Sequence, residues 1–218
     1  MVLRVLAGQG RHRVRAVLLA ENRAGKLADL FPAAPVYIAS QAVLDVIAGF
    51  PLHRGILALG ERAPEPSPTE LLASLGPRAL VLALHGVANH DNMGGLFRNA
   101  AAFGVDAVLL DPTCCDPLYR KALRVSVGGV LKIPFTRSED LIGDLAGFEP
   151  VALSPNGAET LKELKRPDRA ALLLGAEGPG LPDAILARCR TVRIPMSGGF
   201  DSLNVATTSG IALYHLVS

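Results

Sequence analysis

Three short segments carry residue types that a core would reject and a plain surface would not need. The first is Asn89-His90-Asp91-Asn92-Met93-Gly94-Gly95-Leu96-Phe97-Arg98, which follows an apolar run and opens a stretch of helical periodicity. In α/β proteins, ligands bind at such strand-to-helix junctions. Asn92 or Asp91 caps the expected helix and leaves amide donors facing a cleft. Leu96, Ala100 and Phe103 repeat with core-facing spacing, whereas Arg98 shares its side with Gly94, Ala101 and Ala102, a surface that a partner can approach closely. A cap followed by a solvated arginine accounts for the same segment without chemistry.

The second segment is Leu174-Gly175-Ala176-Glu177-Gly178-Pro179-Gly180-Leu181-Pro182. Its three glycines let a backbone come close to a ligand. Pro179 breaks the spacing of a dinucleotide fingerprint, and no Gly-Lys-Ser/Thr follows to make a phosphate loop. A structural turn reads equally well here. The third is Ile194-Pro195-Met196-Ser197-Gly198-Gly199-Phe200-Asp201-Ser202-Leu203-Asn204-Val205-Ala206. A strand ends at Pro195, a glycine loop follows, and Asp201 or Ser202 caps a final helix. A lone cap explains Ser202 but leaves Asn204 unexplained in the first turn of an otherwise apolar helix.

The elements that must position these segments alternate. Apolar runs at 79–84, 105–110, 151–153, 170–174 and 191–194 read as strands, with helical patterns at 93–103, 117–125 and about 202–217. Apolar strands without polar alternation, separated by helices, predict a parallel sheet covered on both faces. Residues 61–78 contain four prolines and read as a linker with one short helical stretch at 69–75. Before it lies a small α/β segment, with strands at 14–20 and 55–59 and a helix at 40–50.

Bulk properties exclude several classes. Half of the 218 residues are hydrophobic and 19% are charged, which excludes disorder. No apolar run approaches the roughly 20 residues of a membrane span, and no signal peptide opens the chain, so a soluble, cytoplasmic protein without membrane contact is expected. Cys114, Cys115 and Cys189 suit neither a disulfide framework nor a zinc site, and no other metal-ligand spacing occurs. The net charge of +2 is too small to announce a nucleic-acid partner, although Arg4, Arg11, His12, Arg13 and Arg15 precede the first acid, Glu21.

The spacing Asn92…Arg98, the loop Gly175-Ala176-Glu177-Gly178-Pro179-Gly180 and the pair Ile194-Pro195-Met196…Ser202-Leu203-Asn204-Val205 occur in that order, each at a strand end. Together they resemble the three motifs of the SpoU (TrmH-like) RNA 2′-O-ribose methyltransferases of the SPOUT superfamily. The resemblance covers residues 79–218, including Asp116-Pro117-Leu118-Tyr119-Arg120-Lys121 and Arg124-Val125-Ser126-Val127-Gly128. Pro35–Leu59, with His53-Arg54-Gly55, is similar to the small substrate-binding domain of many members. The family usually has Asp-Pro-x-Asn where this chain has Asn89-His90-Asp91-Asn92, so a proline-stiffened turn is lost.

The resemblance implies an α/β fold with a C-terminal trefoil knot. It divides the chain into an abbreviated RNA-binding domain (1–60), a linker (61–78) and a methyltransferase domain (79–218). It implies S-adenosylmethionine as cofactor, held by Gly175, Glu177, Gly178, Ile194, Met196 and Leu203, and no metal. Arg98 would clamp a phosphate and stabilise alkoxide charge, since a guanidinium does not act as a base at neutral pH. Asn92 and Ser202 would orient the ribose, and Asn204 and Glu177 would hold the loops. Transfer RNA or ribosomal RNA is the implied substrate, and a homodimer through the knot region and final helix the implied assembly. Three rivals remain. A non-catalytic SPOUT protein that binds RNA or cofactor would have lost Arg98, Glu177, Ser202 or Asn204. A base methyltransferase would lack Ser202-Leu203-Asn204-Val205, and a nucleotide-dependent oxidoreductase would need the missing fingerprint.

Overall fold

A computed structural model describes residues 2–9, 11–198 and 202–218. The chain divides into two units, Met1–Pro64 and Glu65–Ser218.

The smaller unit runs α1 (Val2–Gln9), β1 (Arg13–Ala20), α2 (Glu21–Leu27), β2 (Val36–Ala39), α3 (Gln41–Ala48) and β3 (Ile56–Glu61). Its three strands are ordered β2-β1-β3, with β1 parallel to β2 and antiparallel to β3. Val17, Leu19 and Phe31 form its core. α3 ends where Gly49 turns left-handed at φ 76° and its amide returns to the Asp45 and Val46 carbonyls.

The larger unit begins with α4 (Pro68–Ala73), β4 (Ala79–Leu84), α5 (His90–Ala102), β5 (Ala107–Leu110), α6 (Arg120–Val125) and α7 (Gly129–Lys132). It continues with β6 (Phe135–Arg137), α8 (Leu141–Asp144), β7 (Glu149–Leu153), β8 (Glu159–Thr160), β9 (Arg169–Leu174), α9 (Asp183–Leu186), β10 (Arg190–Arg193) and α10 (Val205–Val217). The linker expected over 61–78 is narrower than the prolines suggested. Ser67 and Glu70 close a capping box around α4, with Pro68 at its first turn. Leu71 and Leu72 are buried in the core of the larger unit. Arg169 donates to the Leu72, Leu75 and Gly76 carbonyls, so residues 68–78 belong to the same body as the sheet.

Seven strands form one sheet in the order β6-β5-β4-β9-β7-β10-β8, and every pairing in it is parallel. All six residues of β4 are buried because both faces are covered. Leu80, Leu82 and Leu84 face one core with residues of α5, α6, α7 and α10. Ala79, Val81 and Ala83 face the other, with residues of α4, α8 and the β9–α9 connection.

Two packing arrangements carry the rest. α5 lies close to its neighbours because it lacks side chains there. A Cβ on Gly94 would sit 2.6 Å from the Val125 Cβ on α6, and one on Gly95 would sit 2.7 Å from the Ala206 Cβ on α10. Asn99 locks the second contact, its Nδ2 donating to the Ala206 carbonyl at 2.6 Å and to Ser209 Oγ at 2.8 Å. At the other end of the sheet, β10 lies between β7 and β8 although only residues 154–158 join those two strands. This crossover is tied to β10: the Ser154 amide donates to the Val192 carbonyl at 3.0 Å, and Arg193 Nη1 donates to the Gly157 carbonyl at 2.6 Å. A Cβ on Gly157 would overlap the Val192–Arg193 backbone. Gly157→Ala is therefore expected to lower the unfolding free energy by about 1–3 kcal/mol, measured by urea denaturation, because strand backbone cannot move aside as a flexible side chain would.

Candidate active site

Parallel strands bring their carboxyl ends to one edge of a sheet, and the three chemistry-bearing segments all leave strands at that edge: β4 into 85–92, β9 into 175–181 and β10 into 194–204. Each local structure differs from its sequence reading in one informative way. α5 is capped by Asn89 rather than by Asn92 or Asp91. The Asn89 side chain accepts from the Asp91 amide at 2.8 Å and the Asn92 amide at 3.3 Å. α10 is capped by Asn204, whose Oδ1 accepts from Ala206 and Thr207. Ser202 therefore does not cap it, and Asp201 lies outside the described residues. In the glycine loop, Gly175 is required by the loop itself, since a Cβ there would overlap the Gly180 carbonyl group. Gly178 and Gly180 adopt left-handed φ values of 89° and 69°. A bridge between Ala176 and Gly180 closes the turn.

With the caps assigned to Asn89 and Asn204, Asn92 is free to face across the site. It is only 7% exposed. Asn204 Nδ2 donates to Asn92 Oδ1 at 2.9 Å and to Glu177 Oε1 at 2.8 Å. One carboxamide thus joins the three segments, and Asn92, Glu177 and Asn204 are brought together. Ile194 and Met196 are partly buried on the same edge, while Gly178, Ser202 and Leu203 are exposed. Among the described residues, no backbone group of Met196–Gly198 bonds to another backbone group.

Arg98 stands apart. Six residues beyond Asn92, it lies about 9 Å further along the α5 axis. It is exposed at an open groove of about 520 Å³ lined by Gly95, Asn99, Ala206, Thr207, Gly210 and Ile211. Its expected neighbour Gly94 is instead buried beneath Val125, and Gly95 takes that place in the groove. Among the described residues, nothing accepts a hydrogen bond from its guanidinium. The sequence reading passed over Asn99, which signals itself only as a polar residue at the i+7 position from Asn92, on the face that α10 covers.

At position 90, where the family pattern has proline, the His90 ring stacks against Tyr119 with centroids 4.4 Å apart. Cys114 is buried beneath this edge, bonded to the Val87 amide and the Leu84 carbonyl. Burial, first, pushes its thiol up to about 12, which makes it a packing residue rather than a nucleophile. Among the described residues, no three His, Cys, Asp or Glu side chains cluster as metal ligands.

A seven-stranded parallel sheet with glycine loops and a paired-asparagine link at its carboxyl edge defines an α/β domain whose loops converge where such sheets bind ligands. The model of the SpoU rRNA Methylase family matches residues 79–214, and the chain belongs to that family. It is 46% identical over 192 residues to an uncharacterized tRNA/rRNA methyltransferase of Mycobacterium bovis, an alignment that covers 83% of this chain and 65% of the relative. The chain thus spans just under two thirds of that relative's length. It is 32% identical over 224 residues to the 23S rRNA (guanosine-2′-O-)-methyltransferase RlmB of Acinetobacter baylyi, covering 98% of this chain and 87% of that one. In fold it matches the SpoU methyltransferase AviRb of Streptomyces viridochromogenes, solved with AdoMet, with a TM-score of 0.82 at 23% identity over 99% of this chain and 85% of that one.

Replacing Asn204 tests the link. Asn204→Ala removes a helix cap, worth about 1 kcal/mol, and leaves the buried Asn92 oxygen without a donor, worth about 1–3 kcal/mol. Urea denaturation is expected to show a loss of roughly 2–3 kcal/mol. Asn204→Asp keeps the cap acceptor but sets a carboxylate oxygen against Asn92 Oδ1 and Glu177, so it should not restore stability.

Proposed function

We propose that this protein transfers a methyl group from S-adenosylmethionine to a ribose 2′-hydroxyl of ribosomal or transfer RNA. The single observation that carries the reading is the hydrogen-bonded Asn92–Asn204–Glu177 link, which unites the three motif segments at the carboxyl edge of the sheet. The residues fit the cofactor. The turn at Gly175, Glu177 and Gly178, the open main chain around Ile194 and Met196, and the exposed Leu203 side chain make a cradle of backbone groups with one apolar wall. When bound, the cofactor supplies a methyl group activated on a sulfonium.

The chain's own residues then position the acceptor. Asn92 and Ser202 orient the ribose, while Asn204 and Glu177 hold the loops in register. Arg98 clamps the adjoining phosphate and stabilises negative charge on the hydroxyl oxygen as its proton leaves to phosphate or water. A guanidinium with no acceptor among the described residues is suited to that task. The non-catalytic alternative has no such use for it.

Two finer features belong to the same proposal. The chain forms a trefoil knot: β10 runs between two strands already joined by the 154–158 crossover. α10 then packs beside residues 164–166, where His215 Nε2 meets the Leu164 carbonyl at 2.9 Å and Arg166 Nη1 donates to the Leu216 carbonyl at 3.4 Å. Such threading is nearly absent among proteins. The protein acts as a cytoplasmic homodimer through this region, supported by exposed Leu203, Ile211, Tyr214 and Val217 on and before α10, beside the Arg98 groove. No helix among the described residues is long and apolar enough to cross a membrane.

The smaller unit chooses the RNA. Its first 64 residues carry eight Lys/Arg against four Asp/Glu, whereas the remainder carries 14 against 16. A truncation beginning at Glu65, which keeps α4, is expected to bind S-adenosylhomocysteine by calorimetry in a chelator and to lose RNA affinity. RNA affinity with an unchanged salt slope would move recognition into the larger unit.

Arg98→Ala is expected to lower single-turnover methylation by about 10²–10³, the usual cost of removing one preorganised charge at a developing oxyanion. Arg98→Lys keeps the charge but loses the bidentate fork and should also be impaired. Both should bind S-adenosylhomocysteine normally, because the cofactor cradle comes from the other two segments. Turnover by Arg98→Ala near that of the unaltered protein would reject the clamp.

A further inference from the structure

Beside the Asn92–Asn204–Glu177 link lies a feature that the transfer described above does not use. Tyr119, the residue before α6, stacks on His90, the first residue of α5, with ring planes tilted by 45°. Tyr119 nonetheless remains 45% exposed. Local bonds fix its backbone: the Leu118 amide donates to Asp116 Oδ1 at 2.9 Å, the Tyr119 amide to the Asp116 carbonyl at 3.1 Å, and the Leu123 amide to the Tyr119 carbonyl at 3.0 Å. Lys121 Nζ pairs with Asp91 at 2.6 Å and so fastens α6 to the first turn of α5.

The surroundings are cationic. Arg120, Lys121 and Arg124 occupy exposed positions directly after the ring. Of the two nearby carboxylates, Asp91 is paired with Lys121 and Asp116 is engaged in its turn. An exposed aromatic ring held against His90, which lies two residues from Asn92, and followed by the exposed Arg120 and Arg124, has the form of a site for an unstacked nucleotide: the ring takes the face of a base and the arginines its backbone. A core tyrosine would be buried. A merely solvated one would need neither a second ring nor an ion pair to hold its support.

We infer that Tyr119, backed by His90, is a stacking platform for an RNA base neighbouring the methylated ribose. This rests on the RNA methyltransferase reading and names how that substrate is gripped. Stacking on an aromatic ring tolerates any base, so the platform contributes affinity and placement rather than sequence choice.

The chain contains no tryptophan, so Tyr119→Trp creates a single fluorescent reporter at the platform. Unmodified 23S ribosomal RNA and bulk transfer RNA transcripts serve as probes, and the one that the unaltered protein methylates is carried forward. Tyr119→Trp is expected to keep methylating and to have its emission quenched by RNA. Tyr119→Ala is expected to weaken RNA binding by about 10- to 100-fold with an unchanged salt slope, because stacking releases no counterions. Its S-adenosylhomocysteine affinity and sedimentation should match those of the unaltered protein. Undiminished RNA affinity in Tyr119→Ala, an emission from Tyr119→Trp indifferent to saturating RNA, or a changed oligomeric mass would each overturn the platform while leaving RNA methylation standing. Failure of the unaltered protein to methylate either RNA would instead remove the reading beneath it.

Discussion

The carboxamide of Asn204 is the interaction on which the site depends. Its oxygen closes the first turn of α10, and its nitrogen reaches both Asn92 and Glu177, segments 112 and 27 residues away in the chain. Asn92 is nearly buried, and a buried polar group without a partner costs more than a formed hydrogen bond returns. The three segments are therefore held in the arrangement in which the Asn92 oxygen keeps its donor. That arrangement holds only while α10 stays seated on α5.

Small residues make that seating possible. Gly95 admits Ala206, Gly210 lies against Asn99, and Gly129 brings α7 against the Phe97 carbonyl. Asn99 then converts close approach into direction, because its two hydrogen bonds to α10 select one axial position. The crossover at Gly157 does the same for β10 by allowing two backbones to touch. The turn between α6 and α7 shows a cost of such packing: Val127, a β-branched residue, is held at φ 55° ahead of Gly128. These are constraints of shape, and they place the polar link without taking part in it.

Separation of roles follows from the same geometry. The link uses the helix N-termini and the glycine turn, whereas Arg98 sits further along α5 at a separate groove, with no hydrogen-bond acceptor among the described residues. A guanidinium held in an internal ion pair would be spent. Arg98 lies instead in an open groove between α5 and α10, apart from the Asn92–Asn204–Glu177 link.

Much of this architecture was legible in the amino-acid sequence. The continuous apolar run of β4 and the equally apolar 170–174 within β9 announced a buried parallel sheet, because only strands covered on both faces dispense with polar alternation. The positions of Asn92, Glu177 and Asn204 at strand ends followed from the order of strands and helices. The short strands β6 and β8 were not legible, since three and two residues carry no periodicity. Nor were the caps: several side chains near the start of α5 and of α10 could each have served, and only the packed structure assigned Asn89 and Asn204. The tertiary structure alone decided that α4 belongs to the larger unit, that β10 enters between β7 and β8, and that one asparagine joins three distant segments. Local sequence sets which dihedral angles and faces a segment prefers. Contacts across a hundred residues are set by which faces, glycines and unsatisfied amides meet when those segments pack.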